Sequence, residues 1–423
     1  MAELLQQVRV IDPVSETDQL ADVLIQNGEI VNVAANISEW APDTQIRNCQ
    51  GLILGTGLID LYSHSGEPGF EERETLSSLL QAAAHGGFTR VCILPDTTPA
   101  VDNPALVVQL QKIAASIPYS QFPLPHLNIW GAITQDVAGQ QITELTDLAV
   151  SGIVGFGDGK PIDNLGIVRR VLEYLQPLNK PTAFWACNNQ LRANGVIREG
   201  ADAIRIGLPL IPESAETSAI AALLELVAAT ATPVHLMRVS TARSVELIAS
   251  AKSKGLPVTA STTWMHLLLD TVALKSYNPS LRLEPPLGNP SDKMALRKGV
   301  QAGIIDAIAV DHTAYTYEEK TVAFADAPPG AIGYEFALPL LWQNLVETGE
   351  FTALQLWRAL STNPAKCLQQ QPSTIATNQP CELVLFNPQE TWTVKQINLH
   401  TLSANTPWFG QQLKGRIVQT WLL

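Results

Sequence analysis

Short runs rich in Val, Ile and Leu recur along the chain, and most are followed by a stretch whose apolar residues return with helical spacing. Eight such runs stand out, at 52–61, 90–95, 128–133, 152–157, 182–187, 234–240, 258–262 and 307–312. Helical periodicity fills the gaps at 78–84, 106–115, 165–175, 218–229, 242–252 and 294–302. Near-continuous apolar runs suit strands covered on both faces, and alternation with helices calls for parallel pairing. The pattern predicts an α/β fold, a (β/α)8 barrel of the TIM type over residues 51–371.

Both ends depart from that repeat. Two short apolar runs, 22–25 and 29–34, flank the dipeptide Asn27-Gly28, a strong hairpin signal. Beyond a polar break at 369–372, the runs 382–387 and 416–422 again read as strands. Residues 1–50 and 372–423 are therefore expected to pair into one small composite β domain beside the barrel.

Composition narrows the partners. A formal net charge of −13 over 423 residues argues against nucleic acid or an anionic membrane surface, both of which reward clustered Lys and Arg. No window approaches the ~18 apolar residues of a membrane span, and the first residues lack a basic segment leading into an apolar one. A cytoplasmic location is expected. The five cysteines, Cys49, Cys92, Cys187, Cys367 and Cys381, show no Cys-X-X-Cys spacing and read as small apolar filler.

The chemistry concentrates at 57–69, which reads Gly-Leu-Ile-Asp-Leu-Tyr-Ser-His-Ser-Gly-Glu-Pro-Gly. Alternation along a strand would aim Asp60, Tyr62 and His64 into one pocket, although a buried strand with one stray histidine fits the same letters. The stretch resembles the metal-binding first strand of an amidohydrolase barrel in which one histidine has become Tyr62. Together with Glu67-Pro68-Gly69-Phe70, the segments 83–95, 234–241, 303–312 and 405–418 resemble the dihydroorotase family, and the similarity covers nearly the whole chain. That resemblance implies a zinc-dependent barrel enzyme of pyrimidine synthesis, closing carbamoyl aspartate to dihydroorotate.

Carried over position by position, the family pattern implies histidines at Tyr62, Trp185 and Arg238, so His64 alone remains of the four ligand histidines. On the fourth strand, where the family places a carboxylated lysine or an aspartate, Asp158 could stand in and Lys160 lies past the strand end. Asp311 matches the general base and precedes His312. On the substrate side, the implied arginine is Gly66, the implied asparagines are Asp96 and Glu284, a second arginine is Gly288 and a histidine is Tyr315. A phenol is a weak zinc ligand, indole nitrogen is donor-only, and a guanidinium repels a dication. Arg238 is expected to take the metal position and pair with Asp311 or Asp158.

The other histidines have plainer readings. His85 closes an alanine-rich helix, His126 and His400 read as surface residues, His235 should alternate to the face away from Arg238, and His266 reads as core. The expectation is a catalytically inactive dihydroorotase homologue with no metal or cofactor, Asp311 being a remnant. The resemblance implies an oligomeric, structural or regulatory companion of aspartate transcarbamoylase. Two alternatives stay open: an active cyclic amidohydrolase with zinc at His64, Asp158 and Asp311, or a binding module for a neutral or cationic small molecule.

Overall fold

The computed structural model describes residues 2–118 and 121–422, so residues 1 and 423 of the expected β domain and residues 119 and 120 of the expected barrel lie outside the described residues. The chain opens in a mixed sheet. Strand β1 (Ala2–Asp12) pairs antiparallel with β2 (Thr17–Gln26), which turns into β3 (Glu29–Ala34). Asn27 and Gly28 take φ of 52° and 81°, the left-handed pair that a two-residue hairpin turn needs. The hydropathy pattern gave no sign of β1, because Gln6 and Gln7 interrupt its apolar run at a bulge where Gln7 has φ 56°.

β4 (Gln45–Asn48) and β5 (Ile53–Thr56) lie parallel to β1. The single strand expected at 52–61 is thus two strands. At Gly57, where a Cβ would collide with the Thr89 side chain, the chain leaves the sheet and enters the barrel as β6 (Leu58–Ser63). β7 (Phe88–Ile93), β8 (His126–Gly131) and β9 (Gly155–Phe156) follow in parallel. β10 (Ala183–Trp185) comes next, and a two-strand excursion, β11 (Ile197–Arg198) with β12 (Leu210–Ile211), stands outside the barrel. β13 (Val234–Met237), β14 (Val258–Thr263) and β15 (Ala307–Ala309) complete it.

Backbone bonds close the ring on both seams. Phe156 N donates to Pro181 O at 2.8 Å on one side; Asp311 N donates to Tyr62 O at 3.2 Å and His64 N to His312 O at 2.8 Å on the other. The helices between strands begin on Thr75, Asn103, Asn164 and Thr241, whose side-chain oxygens accept first-turn amides. The barrel interior is filled by Leu61, Tyr62, Cys92, Trp130, Trp185 and Met237. The chain then returns to the first sheet as β16 (Gln379–Pro380), β17 (Glu382–Thr393) and β18 (Gln412–Leu422), giving the order β16-β3-β2-β1-β5-β17-β18. Val384, Phe386, Leu413 and Ile417 of this sheet share one apolar cluster with the barrel helices.

Candidate functional site

Strands β6, β13 and β15 deliver His64, Arg238 and Asp311 to the C-terminal rim of the barrel. Met237 faces the interior, so strict alternation would turn Arg238 away; its φ of 56° brings it back in, and Asp311 opposite has φ 54°. Non-glycine residues held in this region carry strain of about 1–3 kcal/mol, sustained only by what their side chains gain. The gain here is a two-pronged ion pair, Arg238 Nη2 to Asp311 Oδ1 at 2.6 Å and Nε to Oδ2 at 3.0 Å. Nη1 donates to Gly159 O at 2.8 Å, and Nη2 also donates to His64 Nε2 at 2.8 Å. The Trp185 and Tyr62 rings lie 5.0 and 5.6 Å from the guanidinium carbon. Burial alone would lower the Arg238 pKa; the charge and hydrogen bonds of Asp311, with Tyr62 and Asp96 beside them, together outweigh it, and the group stays protonated.

An arginine can only donate, so His64 Nε2 must accept. His64 Nδ1 therefore carries the proton and donates to Asp96 Oδ2 at 2.7 Å. Both ring nitrogens of His64 are thus committed, with no lone pair left over for a metal. Tyr62 is committed as well: its hydroxyl accepts from Arg238 N at 3.0 Å and bonds Ser261 Oγ at 3.0 Å, and burial keeps the phenol protonated. The residues present do not fit zinc, since the position it would need holds a permanent cation whose donors consume the imidazole and carboxylate lone pairs. Among the described residues, no three His, Cys, Asp or Glu side chains gather as a metal-holding group.

Asp60 and Asp158 stay apart from Arg238, contrary to the expectation that one pocket would gather them. Asp60 accepts from Val310 N at 2.8 Å, Ser63 Oγ at 2.5 Å and Tyr334 OH at 2.8 Å, and burial raises its pKa to about 7. It ties β6 to β15 beneath the rim. Asp158 accepts from Ile133 N at 2.7 Å, Thr134 N at 3.0 Å and Thr134 Oγ1 at 2.5 Å, with burial raising its pKa to about 6. Short strand β9 ends before Asp158, so its side chain caps the neighbouring turn.

His235 corrects another expectation. It is buried in the barrel, bonded to Thr259 Oγ1 and to Ser261 Oγ, each at 2.8 Å, and so lies one hydroxyl away from Tyr62. Burial pushes its pKa down to about 3. Alternation places it with Met237, and only the backbone turn at 238 misled the sequence reading. His400 is no plain surface residue: it bonds Glu335 Oε1 at 2.9 Å and stacks on His85. His126 is exposed and His266 buried. His312 is buried against Glu74 at 3.1 Å.

The rim loops leave no room for the arginines the family pattern implies. A Cβ on Gly66 would press into the carbonyl oxygens of Glu74 and Phe70, the latter 2.7 Å away. On Gly288 it would sit 2.6 Å from the Asp292 Cβ. Glu284 pairs with Arg192 and lies 3.8 Å from Arg282. Tyr315 is flanked by Arg73 and Lys320, each 5.0 Å from its ring centre, and burial raises its pKa to about 12. Glu284 and Tyr315, with His64, Arg238 and Asp311, line a cavity of about 230 Å³ that Lys160, Met265 and Leu283 also line.

Comparison with known proteins places this geometry. The amidohydrolase family profile matches residues 194–423, and the dihydro-orotase-like profile matches residues 51–244. A Synechocystis sp. protein named "Probable dihydroorotase-like protein" is 45% identical over 97% of this chain and 98% of its own. The dihydroorotase of Syntrophus aciditrophicus is 35% identical over 99% of this chain and 97% of its own. Among solved structures, the L-hydantoinase (dihydropyrimidinase) from Arthrobacter aurescens superposes with a TM-score of 0.84 at 20% identity, covering 99% of this chain and 96% of its own, and so shares the fold. The chain belongs to the amidohydrolase family, in its dihydroorotase-like branch.

Proposed function

We propose that this chain is a dihydroorotase homologue that has exchanged metal-assisted catalysis for a structural or regulatory role beside aspartate transcarbamoylase in pyrimidine synthesis. One observation carries the first half: the Arg238 guanidinium, bonded to Asp311 at 2.6 and 3.0 Å and to His64 at 2.8 Å, spends the base and the imidazole that hydrolysis needs. Without an ion there is no Lewis acid on a substrate carbonyl and no water of lowered pKa. The lost substrate contacts at Gly66, Asp96, Gly288 and Tyr315 support the same reading. The partner follows from the resemblance to non-catalytic members of the branch.

The test has two arms. Purified chain, with and without added zinc, is expected to give no cyclisation of carbamoyl aspartate; turnover that rises with zinc would restore the reading of an active enzyme with an altered site. The chain is expected to co-purify with the aspartate transcarbamoylase of its own source and to change that enzyme's activity when removed and added back. Separate elution with unchanged activity would sink the partner role.

A further inference from the structure

The last strand of the composite sheet has a neighbour on one side only. β18 pairs with β17 from Leu422 opposite Glu382 to Gln412 opposite Thr393, and among the described residues no strand pairs with its other edge. A cleft of about 360 Å³ is lined by five consecutive residues of β18, 418–422, together with Gln121, Phe122 and Pro123. Side chains alternate between the two faces of a strand, so what five consecutive residues share is the backbone edge. The free edge therefore borders the cleft. Such edges are normally blunted by charge or proline. Lys414 and Arg416 serve the first half of β18, but the stretch from Ile417 to Leu422 reads Ile-Val-Gln-Thr-Trp-Leu and has neither. No charged residue lines the cleft either.

The strand slips register at Val418 and is regular from Gln419 to Leu422. Gln419 and Trp421 are held on one face, by Arg47 and by Glu3. Thr420 alternates to the other face, is 3% exposed, and among the described residues its hydroxyl has no hydrogen-bond partner. A buried hydroxyl of this kind calls for one. We infer that β18 docks on β18 of a second copy of this chain, antiparallel about a two-fold axis at Thr420, so that the two composite sheets become one. The axis fixes the pairs: Thr420 faces the second copy's Thr420, Gln419 faces Trp421, and Val418 faces Leu422. Threonines directly opposite across two strands hydrogen-bond, which satisfies the orphan hydroxyl in both copies at once. Lys414 and Arg416 fall outside the paired stretch, so two chains of net charge −13 meet where neither presents a charge. A strand of another protein would use the same backbone groups; the self-matching hydroxyl at the centre favours a second copy. Nothing here rests on the barrel rim, so the inference stands or falls apart from the non-catalytic reading.

The test is sedimentation equilibrium of the full chain up to about 200 µM, because so short a strand pair lies at the small end of interfaces and gives a reversible dimer. Wild type is expected to dimerise, with an affinity that changes little with salt, since no charge pair is made. Thr420→Lys sets like charges opposite each other and should leave a monomer, and Thr420→Glu should do the same. Mixing the two variants should restore the dimer, at least about tenfold tighter than either alone, because opposite charges then face across the axis. A charge at a buried position can also unfold the sheet, so Thr420→Cys gives an independent reading with little change of size. Mild oxidation should convert that variant to a covalent dimer, which neither wild type nor Gln412→Cys should form, residue 412 lying about 50 Å from its copy across this axis. A wild type that stays monomeric, a dimer that survives Thr420→Lys, a mixture of the two folded charge variants that stays monomeric, or no disulfide dimer of Thr420→Cys would each overturn the inference.

Discussion

At the scale of single residues, Arg238 is a counter-charge that cannot dissociate. It is 3% exposed and holds both oxygens of Asp311, so its removal strands Asp311 and the Gly159 carbonyl. Breaking a buried pair by deleting one partner costs about 3–5 kcal/mol, and Arg238→Ala should lose that much in urea unfolding. Adding Asp311→Ala should recover part of the loss, because the stranded charge goes too; a double variant weaker by the sum of both would refute this account. Asp60 gives the pH signature. Its folded pKa of about 7 lies above the unfolded value, so the native state binds the extra proton and this group's contribution is full at low pH and lost as pH rises toward 7. Asp60→Asn mimics the protonated form, and relative to wild type it should gain stability as pH rises from the ordinary value of 3.8 to about 7; the two unfolding midpoints should therefore converge or cross over that window. Parallel midpoints would show that Asp60 is ionised throughout.

At the scale of elements, the barrel was legible because each strand is a short apolar run and each helix keeps its period, as the run 165–175 does to the residue in Leu165–Leu175. What escaped was set by backbone events with no hydropathy signature: the bulge that hides β1, the exit at Gly57, and the left-handed turn at Arg238 that makes His235 and Arg238 both face inward. At the site the sequence identified the altered positions but over-gathered them, since a carboxylate near a strand end can face the rim or tie strands together below it. Asp60 and Asp158 do the second. Gly66 and Gly288 also sit where neighbouring atoms leave no space for a Cβ, so they are built into the rim loops rather than simple losses. Gly66→Arg and Gly288→Arg, offered as restorations, should each destabilise the fold by about 1–3 kcal/mol from overpacking and lower the melting temperature. A variant that melts like wild type would mean the loop has room to move.

At the scale of the whole molecule, the composite sheet and the barrel share one apolar cluster in which Val384, Phe386 and Ile417 pack with the helices. A chain built this way should unfold in one step, and the step should be blind to metal. A barrel held by a bound dication gains stability as RT ln(1 + [L]/Kd), about 2.7 kcal/mol at a hundredfold excess over Kd, and its melting point follows metal concentration. Here the cation is covalently attached through Arg238, so that concentration term vanishes. The melting temperature should be the same in excess chelator and in excess zinc, with a single calorimetric transition in both. Arg238→Ala offers the contrast: the acceptors left behind, His64 Nε2, the Asp311 carboxylate and Gly159 O, all faced the guanidinium. Free guanidinium at low concentration should raise that variant's melting temperature while lowering that of the wild type, a reversal that general denaturation cannot produce.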